Sequence, residues 1–403
     1  MSTDLQYAVR EVNKLPVNWK WVKFGDICKV QGGFAFKSGE YQKEGIPLVR
    51  ISNLVNGIVS FDENIVYLLK TKLSSHKEFI LQRGDTLIAM SGATTGKMAT
   101  FDLDVPALLN QRVGRFRILS EDLCNPRFIS FLVAQITKKV LKEAYGAAQP
   151  NISPTQIEQM DVPLPPLSEQ RRIVAEIEKQ FTRLEAGVSA LKRVQANLKR
   201  YHAAVLKAAC EGSLIPSKLD SWKTTPLSEL VDILDSQRVP VNSKERAKRP
   251  GLVPYYGATG QVDFIDTHIF DEELVLLGED GAPFLDPLKQ KAYLIRGKSW
   301  VNNHAHVLRA KPGLLNSMLL YQLNSIDYKR YVSGTTRMKL PQGPMKQIPL
   351  KIPSLDDQKK IVAEVERRLS VIEEMKAVVK LNLDRAARFR QAILKRAFEG
   401  NLA

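Results

Sequence analysis

Residues 164–214 lie over residues 352–402 without a gap, at a constant offset of 188 positions. The first copy opens LPPLSEQRRIVAEIEKQF and closes AAVLKAACEGSL; the second opens IPSLDDQKKIVAEVERRL and closes QAILKRAFEGNL. Self-similarity of this length is not a chance event and constrains the whole chain. A module present twice serves a target present twice, and a tandem pair gives the chain an internal two-fold relationship.

Each copy reads as one long helix. Apolar residues three and four apart form a seam through Val174, Ile177, Phe181, Leu184, Val188, Leu191, Leu198 and Val205. In the second copy the seam runs through Val362, Val365, Leu369, Ile372, Val379, Leu383, Ala386 and Ile393. Pro165 and Pro166 precede the first helix, with Ser168 as the expected N-cap, Glu169 in the first turn, and Lys207 before a terminating Gly212. Asp356 and Gly400 are the expected cap and terminator of the second. Gln195 and His202 interrupt the first seam, and Lys376 and Arg390 the second, where they set register or stay wet. About 40 residues give a helix on the order of 60 Å long. Its apolar stripe needs a partner of equal length, which the other copy supplies. An intramolecular antiparallel coiled coil is therefore predicted.

The segments outside the helices are also related. WKWVKFGDI at 19–27 parallels WKTTPLSEL at 222–230, an offset of 203, and glycine-started loops, GAAQPNISP from Gly146 and GTTRMKLPQ from Gly334, lead into the helices. The fall in offset from 203 to 188 makes the first globular unit 15 residues longer than the second. Both contain short β-type runs, IPLVRIS, DTLIAM, GRFRIL, ELVLLG and AHVLR, with a helical stretch towards the C-terminal side. The expected fold class is α+β, with two α/β units of mixed twisted sheets joined by the helices. The expected boundaries are an N-terminal segment 1–15, units 16–163 and 215–351, and helices 164–214 and 352–403.

Composition narrows the class. The 59 Lys+Arg against 43 Asp+Glu give a formal charge of +16, a field that favours a polyanion, and KERAKR at 244–249 concentrates part of it. The apolar runs at 129–136 and 274–277 are far shorter than a membrane span, and no leader is visible, so a cytoplasmic protein is expected. Cys28, Cys124 and Cys210 lack CxxC spacing, which points to ordinary reduced thiols.

Three near-motifs fall short of chemistry. SGATTGK at 91–97 brings Gly92 and Gly96 one residue too close for a phosphate loop and has Met98 where Ser or Thr is required. CNPRF at 124–128 resembles the N-P-P-[FY] loop of amino-methyltransferases, but Arg127 replaces the second proline and no cofactor loop precedes it. Asp327 and Lys329 resemble the end of a nuclease acid-lysine pair, without an upstream acidic ligand, and read as a surface helix. His304 and His306, two apart on an expected strand, invite a metal, but no neighbouring carboxylate or cysteine in sequence completes a site; no metal and no catalytic residue is assigned. A better pairing sets this segment beside Asn110, Gln111 and Arg112, side chains whose donors and acceptors match base edges.

The order globular unit, long helix, globular unit, long helix, with PPLSEQRRIVAEIE and PSLDDQKKIVAEVE opening the helices, resembles the specificity subunits of type I restriction-modification systems. Trp19 to Ile27, GIPLVRISNL at 45–54, SGATTGKMA and both EG(S/N)L endings carry the likeness, and YYGATGQVD at 255–263 stands where such subunits carry a Y-x-G-x-x-G loop. The resemblance implies a non-catalytic reader of double-stranded DNA, with two target recognition domains on a spacer that bridges one to two DNA turns. It implies two modification subunits, which bind S-adenosylmethionine and methylate adenine, and two restriction subunits that use ATP and Mg; this chain itself would hold no cofactor. The DNA-contacting candidates are Lys37, Arg50, Ser52, Asn53, Thr94, Thr95, Lys97, Gln111 and Arg112 in the first unit, and Arg238, Tyr256, Thr259, Asn303, His304, Thr336, Arg337 and Lys339 in the second. The rival expectation is a coiled-coil scaffold whose globular units bind protein; steep salt dependence of DNA binding separates the two.

Overall fold

The computed structural model describes residues 15–62, 64–144, 151–216 and 222–402, apart from the side chains of 138–144. Most of the N-terminal segment and the first half of the GAAQPNISP loop lie outside the described residues. The chain divides into two compact units, one formed by residues 1–187 and 385–403, the other by 188–384.

In the first unit, β1 (Lys20–Lys23) pairs antiparallel with β11 (Asp161–Leu164), so the entry strand is tied to the strand that feeds the long helix. Between them run β2 (Cys28–Gly32), β3 (Ile46–Val49), β4 (Leu54–Val55), β5 (Ile58–Val59), β6 (Tyr67–Leu68), β7 (Thr86–Ala89), β8 (Met98–Thr100), β9 (Leu108–Leu109) and β10 (Val113–Ile118). They form a six-stranded sheet of order β2-β10-β7-β8-β5-β4 and a three-stranded sheet of order β6-β3-β9. Helix α1 (Pro126–Ala144) puts Phe128, Ile129, Leu132 and Val133 into the main core of this unit.

The second unit repeats the plan. β12 (Lys223–Pro226) pairs with β21 (Pro349–Ile352), again tying entry strand to helix approach. β13 (Val231–Ile233), β14 (Val253–Gly257), β15 (Gly260–Ile265), β16 (Phe270–Asp271), β17 (Leu274–Gly278), β18 (Ala292–Ile295), β19 (Lys298–Val301) and β20 (Ala305–Ala310) build two four-stranded sheets, β13-β20-β17-β18 and β15-β14-β19-β16. In both units a parallel pair, β3 with β9 and β14 with β19, sits among antiparallel ladders, which makes the sheets mixed. Strand β17 is buried at every position, as its unbroken LVLLG run requires.

The register locates part of the length difference. Pro47 pairs with Tyr67 and Pro254 with Phe264, so twenty residues separate the partners in the first unit and ten in the second. The extra ten form the connection that carries the β4–β5 hairpin, where the second unit turns back directly at Ala258 and Thr259.

The long helices are α2 (Leu167–Cys210) and α4 (Leu355–Phe398), each 44 residues, and α3 (Asn316–Ser325) is the counterpart of α1. In the first unit the opening turns of α2, through Ile173, Val174, Ile177 and Phe181, share a core with Ile393, Leu394, Ala397 and Phe398 at the close of α4. In the second unit Val205, Leu206 and Ala209 near the end of α2 meet Ile361 and Val365 near the start of α4, and Leu198 packs with Ile372 and Val379. The two helices are thus antiparallel within each unit. Both end on the same cap: Gly212 (φ 77°) and Gly400 (φ 76°) take the left-handed conformation, and Ser213 and Asn401 donate back to Ala208 and Arg396 carbonyls at 3.0 and 2.8 Å.

Two expectations change here. The helices begin one residue before Ser168 and Asp356: Ser354 caps α4, its Oγ accepting from the Asp357 N–H at 3.2 Å, while Pro166, at the matching position, offers its carbonyl to Glu169 and Gln170. The stretch around Asp327 and Lys329 is a three-residue 3-10 turn, Tyr328–Arg330, capped by Asp327 and anchored by a fully buried Tyr328, because one buried aromatic in a short polar stretch stabilises a turn more readily than a helix.

Candidate nucleic-acid interface

Three segments meet at one edge of each unit, and the same hydrogen bonds join them. In the first unit the Met90 N–H, just past β7, donates to the Arg112 carbonyl at 3.0 Å, and the Met90 carbonyl accepts from the Ile152 N–H at 3.0 Å. In the second the Glu279 N–H, just past β17, donates to His304 at 2.8 Å, and its carbonyl accepts from Leu340 at 2.8 Å. Isolated bridges join Ser91 to Asn151 and Asp280 to Lys339. Strand register makes Gln111 and Arg112 the counterparts of Asn303 and His304. Backbone is therefore held constant while side chains differ, the arrangement a pair of readers for two different words requires.

A buried glutamine fixes the turn before the shorter helix of each unit, Leu123–Asn125 before α1 and Gly313–Leu315 before α3, to the start of the long helix. Gln170 Nε2 donates to the Leu123 and Pro165 carbonyls, both at 2.9 Å, and its Oε1 accepts from the Asn125 N–H at 2.9 Å. Gln358 does the same with Gly313, Pro353 and the Leu315 N–H, at 2.8, 3.1 and 2.9 Å. Both are wholly buried. Alignment of the repeats could have found them, since EQ and DQ share only the glutamine in register.

Of the first-unit candidates, Lys37, Ser52, Thr94, Lys97, Gln111 and Arg112 are exposed. The other three are engaged internally. Arg50 Nη2 donates to the Asn64 carbonyl at 2.6 Å; Asn53 is buried, accepting from the Arg50 N–H and donating to Ser60; buried Thr95 donates its hydroxyl to the Gly92 carbonyl at 2.7 Å. A residue that sequence reading passed over holds this unit: Arg115, 2% exposed, donates to the Ile80 and Glu78 carbonyls at 2.6 Å each, to Gln31 at 2.7 Å and to Asp85 at 3.1 Å. Burial pulls its guanidinium below the usual range, and Asp85 opposes that shift.

In the second unit Thr259, Asn303, Thr336, Arg337 and Lys339 are exposed, Thr259 at the tip of the β14–β15 hairpin. Tyr256 is half-buried against Tyr293, ring centroids 5.9 Å apart, and His304 is half-buried beside Asp280. Arg238 is engaged: its side chain is 12% exposed, and Nη1 donates to Glu279 at 2.6 Å and to the Ala305 carbonyl at 2.7 Å. The basic run 244–249 is partly neutralised, Arg246 by Asp263 at 2.9 Å and Arg249 by Asp266 at 2.8 Å, with their guanidinia over Tyr255 and Trp300.

The histidine pair separates. His304 lies before the strand and only His306 is on β20, buried, with Nδ1 2.6 Å from Asp235 Oδ2 and Nε2 2.8 Å from the Leu340 carbonyl. Carboxylates distant in sequence do reach this imidazole, Asp235 and Glu279, and their ligand atoms with His306 lie within 4.8 Å of one another. The Arg238 guanidinium already supplies the positive charge that an ion would bring. Burial raises the Asp235 carboxyl, but the His306 hydrogen bond and charge, then the Val307 N–H, and least the Arg238 charge together outweigh it and hold it below the usual range. This cluster is an ion-pair network that stiffens the edge.

The other near-motifs become structural. In 91–97 the amides of Thr95, Gly96 and Lys97 donate to Gly92, Ala89 and Thr94 carbonyls, so they are not aimed at a phosphate. Asn125 in CNPRF caps α1, its Oδ1 accepting from the Arg127 and Phe128 amides. The three cysteines are free and buried, and burial pushes the thiols up to about 12 for Cys28, 11 for Cys124 and 12 for Cys210. None of the described helices is long and apolar enough to cross a membrane.

Two mixed-sheet units with one shared edge frame and a duplicated helix define a class, and the sequence profile of the type I restriction modification DNA specificity domain matches residues 16–192 and 220–377. The chain belongs to that family. It is 31% identical over 166 residues to a type I restriction enzyme specificity subunit of Methanocaldococcus jannaschii, an alignment spanning 40% of this chain and 39% of the relative. Identity is 23% over 435 residues to the corresponding subunit of Salmonella potsdam, covering 96% and 90%. A chain solved in work on complex assembly and conformational transition of the type I R-M system shares the fold, with a TM-score of 0.68, 18% identity, and coverage of 96% of this chain and 99% of that one.

Proposed function

We propose that this chain is the non-catalytic DNA-specificity subunit of a type I restriction-modification complex, reading a split, asymmetric duplex site with one word per unit. The observation that carries the reading is the repeated edge, in which one backbone frame presents Gln111 and Arg112 in the first unit and Asn303 and His304 in the second. The charge of +16 supports a polyanionic target. Among the candidates, the exposed side chains at these edges are the readers: amides and guanidinia suit base edges, and Lys37, Lys97 and Lys339 suit phosphates. The engaged residues, Arg50, Asn53, Thr95 and Arg238, shape the edge instead.

Partners follow from the family relationship. Two modification subunits, carrying S-adenosylmethionine, and two restriction subunits, using ATP and Mg, would dock on the duplicated helices and supply the chemistry in the cytoplasm. Selection from a randomised duplex library by the full chain with its modification partners tests this. Two fixed words separated by an unread gap of constant length are expected; a single uninterrupted word, or none, would sink the reading.

A further inference from the structure

One arginine at the second edge has its position set by its neighbours. Arg337 lies in the segment that closes the edge, its side chain 59% exposed, with Nε 2.7 Å from Asp280 Oδ1. Asp280 is 15% exposed, and His304 Nδ1 stands 3.5 Å from its other oxygen. The Arg337 contact is ionic rather than an aligned hydrogen bond, and Asp280 Oδ1 has no other partner among the described residues. Gly281 lies under the guanidinium: its φ is 77°, and a Cβ there would stand 3.2 Å from Arg337 Nε. The backbones beneath are joined as well, the Gly281 N–H donating to Met338 at 2.9 Å and the Leu340 N–H to Glu279 at 2.8 Å. Asp280 and Arg337 therefore stand on joined backbone and meet through an ionic contact.

The carboxylate occupies the Nε side of the guanidinium. No hydrogen bond to Nη1 or Nη2 is present among the described residues, so the outer fork faces solvent. A planar fork of this kind matches O6 and N7 of guanine in the major groove, and holding it in place beforehand lowers the entropy lost on contact. A phosphate contact needs neither the plane nor the buttress.

We infer that Arg337, positioned by Asp280 and seated on Gly281, reads a guanine, so that the word of the second unit contains guanine at one fixed position. The inference rests on the proposed DNA-specificity function. In the first unit register puts Ser91 in the place of Asp280, so the carboxylate is particular to the second word.

The test is the same library selection by the full chain with its modification partners, using wild type, Arg337→Lys, Arg337→Gln and Asp280→Asn, with thermal melting confirming that each is folded. Wild type is expected to select a guanine that both Arg337 variants lose, with preference at that position falling roughly five- to hundredfold. Every other position of both words stays as it was. Asp280→Asn weakens the same position to a smaller degree. Retention of the guanine by Arg337→Lys and Arg337→Gln, or uniform weakening over all sequences, would overturn the inference while the split-site reading stands. A wild type that selects no split word brings down that reading, and the inference with it.

Discussion

His202 sits in the helix pair of the second unit, where sequence reading saw only a polar break in the seam. Burial lowers its pKa, the Lys376 charge adds to the shift, and Glu373 partly opposes it. Its folded pKa lies below the reference value of 6.5, so the unfolded chain binds a proton more readily than the folded one. Stability from this site is complete above pH 6.5 and declines as pH falls from there towards the folded pKa. Thermal melts at pH 7.5 and 5.5 should show a larger loss of Tm for wild type than for His202→Gln; equal losses would remove His202 as the cause. Arg115 and His306 teach a related lesson. Each is a charged or chargeable side chain that sequence places in a plain β-run, and each is buried because partners from elsewhere in the chain meet it.

At the scale of elements, the two long helices were legible from periodicity, at about 40 residues against the 44 found, and their terminating glycines from residue type. The caps were less so, because Ser354 competes with Asp356 and only the backbone decides which carbonyl accepts first. What joins each long helix to the turn before the shorter helix of its unit is the glutamine at 170 and 358. Replacing Gln170 with leucine would strip partners from the Asn125 amide and the Leu123 carbonyl, which are part-buried, and from the Pro165 carbonyl, which is buried. A loss of about 2–4 kcal/mol is expected in urea unfolding of the first unit, and Gln358→Leu should do the same in the second. A loss below about 0.5 kcal/mol would show that the staple is replaceable.

For the whole molecule, the excess of basic side chains matters through what remains unpaired. Arg246 and Arg249 are tied to carboxylates, so KERAKR contributes less field than its sequence suggests. Exposed basic side chains at the edges, such as Lys97, Arg112 and Lys339, and along the long helices, such as Lys192, Arg193 and Lys199, carry the rest. If the full chain makes about six to ten phosphate contacts, its affinity for duplex DNA should fall on the order of 10³- to 10⁵-fold between roughly 50 and 200 mM salt. Titration by fluorescence anisotropy over that range reads the slope, and a flat slope would mean that the charge serves another purpose.

The sequence by itself determined the duplication, the long helices and the β-runs of both units, because these depend on periodicity and on residues close together in the chain, and its motifs carried the likeness to the family. It also set Asn110, Gln111 and Arg112 beside Asn303, His304 and their neighbours, and strand register then paired Gln111 with Asn303 and Arg112 with His304. Only the tertiary structure decided which candidates are exposed. Arg50, Asn53, Thr95 and Arg238 have the residue types of a DNA contact, yet carbonyls and carboxylates brought in by the fold engage them. Asp280 and Arg337, 57 residues apart, became a unit only when the loops after β17 and before β21 were drawn together. A side chain's type sets what it can bind, but its availability depends on neighbours that sequence order does not reveal.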